Sequence, residues 1–315
     1  MRQALILILA ALLTACGTNT ASTTEANTNN LRVVATFSIL GDLVQNVGGE
    51  HITLHTLVGP GGDAHTFDPS PADSVALVEA KLIIENGLAF EPWLDDLYSA
   101  SGSQAKRIVA TANVTPLPAE DEHADEDDDH DEADHDHGEY DPHVWSDVAN
   151  TMRMVETIRD ALVEADPEHA ADYRANAERY LAELQKLDDE IVAQTNTLPP
   201  ERRKLVTAHD TMRYFANRYG YEIVGTALGS LSTETADPSA GELVALVEQI
   251  KAANVPAIFA ENVQSARLME RIAQEAGVKI APTLYSDALG ESDSEGATYL
   301  AMIRYNITTI VTALK

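Results

Sequence analysis

The sequence predicts an α/β protein: two βα lobes with parallel sheets, joined by one long rigid interlobe helix. Short β-branched runs alternate with helical stretches from residue 31 onward, the pattern of βαβ units and a parallel sheet. The alternation occurs twice, before and after a stretch of some 30 residues in which Tyr173, Tyr180, Leu184, Leu187 and Ile191 recur at near-heptad spacing. Two lobes also fit the length, since 315 residues make about two domains at roughly 150 residues each.

Residues 1–15 read as a signal peptide. Met1-Arg2 precedes an apolar run from Ala4 to Leu13, too short to span a bilayer, and small residues follow it. Leu13-Thr14-Ala15-Cys16 resembles the lipobox of bacterial lipoproteins, which makes Cys16 the lipidated first residue of the mature chain. Residues 16–30 are then a polar, aperiodic tether. The folded body is expected outside the cytoplasm, held to a membrane by its lipid anchor.

The first lobe spans 31–165. Strands are predicted at 31–40, running into Gly41-Asp42 and an amphipathic helical stretch, then at 51–58, 81–87 and 107–111, with a helix at 74–80. Pro116 and Pro118 break the pattern, and residues 120–139 hold 13 acidic residues, four histidines and no basic one. A helix over 147–164 closes the lobe, and 166–198 forms the linking helix, about 45 Å long if 30 residues rise at roughly 1.5 Å each. The second lobe, 199–315, repeats the pattern. Strands are predicted at 204–209, 221–228, 255–261 and 278–284, and helices at 211–220, 239–254, 265–277 and 296–314, with Gly220 and Gly277 at helix C-terminal caps.

Charge and cysteine content narrow the function. With 21 Lys and Arg against 51 Asp and Glu, the net charge of −30 repels nucleic acid and other polyanions. A single cysteine makes neither an internal disulfide nor a thiolate cluster, so any metal must be held by His, Asp or Glu. Four such residues sit at the ends of predicted strands or after the acidic segment: His65, His143, His209 and Asp287. Two come from each lobe, where open α/β sheets place their sites. Three imidazoles and a carboxylate suit tetrahedral Zn²⁺.

These residues lie in GGDAHTFDPSP (61–71), YDPHVW (140–145), TAHD (207–210), FAEN (259–262) and YSDALG (285–290). The five motifs, in this order, resemble those of the zinc/manganese solute-binding proteins of bacterial ABC importers. The resemblance runs from about residue 31 to 315. It implies a metal in the interlobe cleft, held by His65, His143, His209 and Asp287, and delivery to an ABC permease. Members with Glu in place of His209 look manganese-directed and those with His look zinc-directed or dual, so Zn²⁺ is the expected cargo. The Asp287 context resembles the dual members as much, and keeps Mn²⁺ open. The acidic segment resembles the His-rich loop of the zinc-uptake branch. His123, His130, His135 and His137 are expected to collect metal there, against the plainer reading of a solvated linker.

Asp63, Asp141 and Asp210 stand beside candidate ligands, where each could orient an imidazole or cap a turn. Glu261 is expected to support the cleft, His51, His55 and His169 to be structural or surface residues, and Trp93 and Trp145 to be core. A monomeric receptor rather than an enzyme is predicted, because four protein ligands leave no coordination position for a reacting water. A zinc hydrolase with Asp287 as base and an adhesin are the alternatives.

Overall fold

The computed structural model describes residues 30–119, 139–235 and 238–315. The signal peptide, residues 16–29 of the tether with Cys16, and the four histidines of the acidic segment lie outside the described residues.

The first lobe is a four-stranded parallel sheet in the order β2-β1-β3-β4, formed by Leu31–Phe37 (β1), Ile52–Val58 (β2), Leu82–Glu85 (β3) and Lys106–Val109 (β4). Register is set by pairs such as Val34 with His55 and with Ile83. Helices Ser38–Gly48 (α1), Pro71–Glu79 (α2) and Leu94–Ser101 (α3) connect the strands, and Val148–Ala165 (α4) follows. The apolar run at 31–40 divides after Phe37, because Ile39, Leu40, Leu43, Val44 and Val47 form one buried helical face. Gly41 is where that helix meets β2. A Cβ there would lie 2.6 Å from Thr56 Oγ1. Helix α3 was not expected: eight residues burying only Leu94 and Leu97 show too little periodicity to read.

The second lobe has parallel pairs Lys204–Thr207 (β5) with Glu222–Thr226 (β6), and Ala257–Ile258 (β7) with Lys279–Ile280 (β8). Phe259 N–H donates to Val206 O at 2.9 Å and so sets β7 beside β5. The connection order around β5 mirrors that around β1. Helices Arg213–Tyr219 (α6), Ala240–Ala253 (α7), Arg267–Ala276 (α8) and Tyr299–Leu314 (α9) pack on these strands. The strands predicted at 255–261 and 278–284 are shorter than expected. Pro256 and Pro282 supply no N–H to a ladder, and beyond them only the bridge between Glu261 and Leu284 resumes the pairing. Gly220 and Gly277 cap their helices in the left-handed region, at φ 74° and 72°.

The linking helix is Ala170–Thr195 (α5), 26 residues long, entered through a 3-10 turn at Pro167–His169. At roughly 1.5 Å per residue it spans about 39 Å. It is more than a spacer. Tyr173, Ala177, Tyr180, Leu184, Leu187 and Ile191 are buried against α1 and α4 from one half and α6 and α9 from the other. Polar anchors act in the same sense: Asn176 donates to Val47 O at 3.0 Å, and Asp188 accepts from Arg218 Nε at 2.9 Å and from the Tyr219 hydroxyl at 2.8 Å. One hydrophobic core therefore runs through both halves, from Val33 and Phe37 through Trp145 and Leu184 to Phe215 and Ile307. Among the described residues no helix is long and apolar enough to cross a membrane.

Truncating Leu184, fully buried at the middle of this spine, should cost about 2–5 kcal/mol. Denaturant unfolding of Leu184→Ala is the check.

Candidate metal centre

Each of the four predicted residues is placed by a loop that follows a strand or a turn. His65 lies in the loop leaving β2, where Gly61 takes φ 68° and its N–H donates to Leu289 O across the cleft at 2.8 Å. Ala64 O accepts from the Trp93 indole at 2.7 Å, which fixes the chain next to His65. His143 immediately precedes a 3-10 turn at Val144–Ser146 and follows Pro142, whose ring stiffens the approach. His209 stands two residues beyond β5, and Asp287 in the loop after β8. That last loop is stitched to the first lobe: Trp145 Nε1 donates to Ser286 O at 2.9 Å, and Leu289 N–H donates to Ser38 Oγ at 3.0 Å.

The four side chains converge. Each offers one donor atom, and these atoms lie within 4.8 Å of one another, all buried. His65 Nε2 and His143 Nε2 are 3.3 Å apart, and Asp287 Oδ2 is 2.9 Å from His209 Nε2 and 3.5 Å from His65 Nε2. Asp287 Oδ1 is 3.7 Å from His143 Nε2 and accepts from Thr211 Oγ1 at 3.3 Å. Donors held at about 2.0–2.1 Å from one ion stand roughly 3.3 Å apart in a tetrahedron. The donor separations of 2.9 to 3.7 Å bracket that spacing.

Carboxylates stand behind two of the rings. Asp141 Oδ1 is 2.8 Å from His143 Nδ1 and Glu261 Oε2 is 2.6 Å from His209 Nδ1, so both rings turn Nε2 inward. Glu261 Oε1 also accepts the N–H groups of Ala208 and His209, at 2.8 and 3.1 Å. Asp141 and Glu261 thus take the supporting role. Asp63 does not reach the His65 ring: it accepts from the His65 backbone N–H at 2.9 Å and from the Thr233 hydroxyl. Asp210 faces Arg213, with Nε to Oδ2 at 3.6 Å.

Two further participants carry no signal in the sequence. Thr211 reaches Asp287, and Phe90 packs edge-on against His65 with ring centres 4.7 Å apart. Phe90 also contacts Phe37 and Trp145, and so joins the imidazoles to the core. Trp145 is buried in that core and Trp93 is half-buried at its edge. His51 and His169 stack on each other at 4.0 Å, away from the cleft, and His51 pairs with Asp172.

The electrostatics suit a divalent cation. Burial works against charge on His209, but Glu261 and Asp287 outweigh it and hold this imidazole well above its usual pKa. Burial likewise opposes charge on Asp287, yet His209 and His143 keep the carboxyl well below the usual range. Burial lowers His65, with Asp287 opposing. The buried cluster favours positive charge at His209 and negative charge at Asp287.

A two-lobed receptor with a buried donor cluster at the lobe junction is the class that fold and site define. The family model for the zinc-uptake complex component A, periplasmic, matches residues 33–313. The chain belongs to that family. It is 34% identical to the manganese-binding lipoprotein MntA of Bacillus subtilis over 100% of both chains, and 34% identical to MntA of Halalkalibacterium halodurans over 98% of this chain and 96% of that one. The structure of the periplasmic zinc-binding protein TroA from Treponema pallidum matches with TM-score 0.81 at 30% identity, covering 90% of this chain and 99% of that one. The protein is accordingly a metal-binding substrate receptor of an ABC importer, not an enzyme. It is extracytoplasmic and membrane-anchored, and receptors of this kind work with a permease and an ATPase.

Because an imidazole that binds metal must be neutral and His209 is held above its usual pKa, metal loading should release protons if His209 is among the ligands. Calorimetry in buffers of different ionisation heat measures this, and no buffer dependence would contradict it. The sign for the metal-free protein follows from the raised pKa: His209 adds stability that is complete below about pH 6.5, the unfolded value, and lost as pH rises through the folded value. Glu261→Gln should weaken metal binding by about 10–100-fold while the fold persists, read by competitive titration and circular dichroism.

Proposed function

We propose that His65, His143, His209 and Asp287 bind the transported ion, and that the cargo is Mn²⁺, with Zn²⁺ accepted by the same atoms. The observation that carries this reading is the buried convergence of three Nε2 atoms on a carboxylate whose two oxygens both face the donors. Used together, those oxygens would make a five-donor set, larger than the tetrahedral shell usual for zinc. Carboxylate oxygen suits manganese, whereas imidazole suits zinc and its neighbours.

The zinc preference expected from His209 gives way on this reading. Relatives matching along almost their whole length are named for manganese, while TroA, at 32% identity over 90% of this chain, is named for zinc. Zn²⁺ still binds more tightly than Mn²⁺ to such donors in the Irving–Williams order, so availability outside the membrane decides which ion is carried.

Loading bridges the lobes, with His65 and His143 on one side and His209 and Asp287 on the other. Release to the permease requires those bonds to part. Because α5 is buried against both halves, closure is confined to small movements of loops, and scattering profiles with and without metal should nearly coincide.

Competitive titration of the mature body, with bound metal counted by native mass spectrometry, tests the site. One ion per chain is expected, lost in His143→Ala, with Zn²⁺ displacing Mn²⁺. Uptake tests the cargo: cells lacking the gene should lose high-affinity Mn²⁺ accumulation, whereas intact Mn²⁺ uptake with lost Zn²⁺ uptake would return the protein to the zinc branch.

A further inference from the structure

The acidic segment joins the fold through a narrow neck. Pro118 and Tyr140 form an antiparallel bridge, Ala119 N–H donates to Glu139 O at 3.0 Å, and Asp141 N–H donates to Leu117 O at 2.9 Å. Two consecutive residues from the other half grip this neck. The Tyr214 hydroxyl accepts from Leu117 N–H at 2.9 Å and donates to Asp141 O at 2.7 Å. Arg213 Nη1 donates to Pro118 O at 2.8 Å and stands 4.0 Å from Asp141 Oδ2.

Asp141 is fully buried. Its Oδ1 accepts from the His143 backbone N–H at 2.9 Å and faces the ring Nδ1, while its Oδ2 accepts no hydrogen bond among the described residues. The carboxylate that orients one donor imidazole thus has as a neighbour, 4.0 Å away, a guanidinium from the opposite lobe that also faces Asp210 at 3.6 Å, and the same guanidinium holds the neck. Both contacts are made by Nη1, so the nitrogen that holds the Pro118 carbonyl is also the one nearest Asp141.

We propose that Arg213, seated by Tyr214, is a positioning residue that latches the lobes and sets His143 through Asp141, so that drawing the neck away from Arg213 loosens His143 and speeds release of the ion. A partner that lifts the neck at Pro118 would thus act on the cleft without touching it. The proposal rests on His143 being a donor to the cargo.

The test is the rate of Mn²⁺ dissociation into excess chelator from the mature protein, for wild type, Arg213→Ala, Arg213→Lys, Asp141→Asn and the Arg213→Ala/Asp141→Asn double variant. Arg213→Ala should release Mn²⁺ about tenfold faster, at the lower end of what loss of a partner behind a ligand costs. Arg213→Lys should recover only part of that, and the double variant should be no faster than Asp141→Asn alone. An unchanged rate in Arg213→Ala, or additive effects in the double variant, would overturn the latch. If Arg213→Ala does not fold, Tyr214→Phe removes one hydroxyl from the same neck, and wild-type release from that variant would overturn it equally. Tight Mn²⁺ binding in His143→Ala would instead strike the cargo-site reading, a result distinct from failure of the latch alone.

Discussion

The structure turns on one electrostatic constraint: a fully buried carboxylate, Asp287, shared among three imidazoles that come from both lobes. Removing a carboxylate from water costs several kcal/mol even after relaxation, and only close opposite charge or a good hydrogen-bond set makes such burial tolerable. His209, 2.9 Å away and held above its usual pKa by Glu261 and Asp287, is the nearest group of opposite charge tendency. Burial of the site, its readiness for a cation and its dependence on pH are three aspects of the same arrangement.

Holding four polar side chains from four loops within 4.8 Å of one another needs a rigid frame. The helix Ala170–Thr195 and the core it shares with both halves provide it. Trp145 is the nearest link between frame and site: its ring packs on Phe37 and Phe90, its indole holds Ser286 beside Asp287, and its carbonyl accepts from the Tyr299 hydroxyl. A binding protein built this way pays its ordering cost during folding, so metal affinity is spent on the metal. The same rigidity means that release must come from local displacement of a donor loop rather than a wide hinge.

Much of this was legible in the sequence. The parallel α/β pattern could be read because β1 to β4 and the helices around them carry enough periodicity, α3 excepted, whose eight residues bury only Leu94 and Leu97. The four converging residues could be read because each follows a strand end or a restricting proline and sits in a family-like motif. Glu261 was legible from the apolar run around it. Thr211, Phe90 and Arg213 were not, since their roles exist only once β5, the loop after β8 and the neck are packed together. Helix α5 read as a spacer because periodicity shows that a face is buried without showing what buries it. Ion preference is the least legible property, since on the proposed reading it turns on whether Asp287 would offer one oxygen or two.

A crystal structure of the Mn²⁺-loaded protein, with the ion located by its anomalous signal, tests the central claim most directly. The account predicts a single peak, bound by the Nε2 atoms of His65, His143 and His209 and by both oxygens of Asp287. A peak elsewhere, or an ion that leaves any of these four residues unbound, would contradict it.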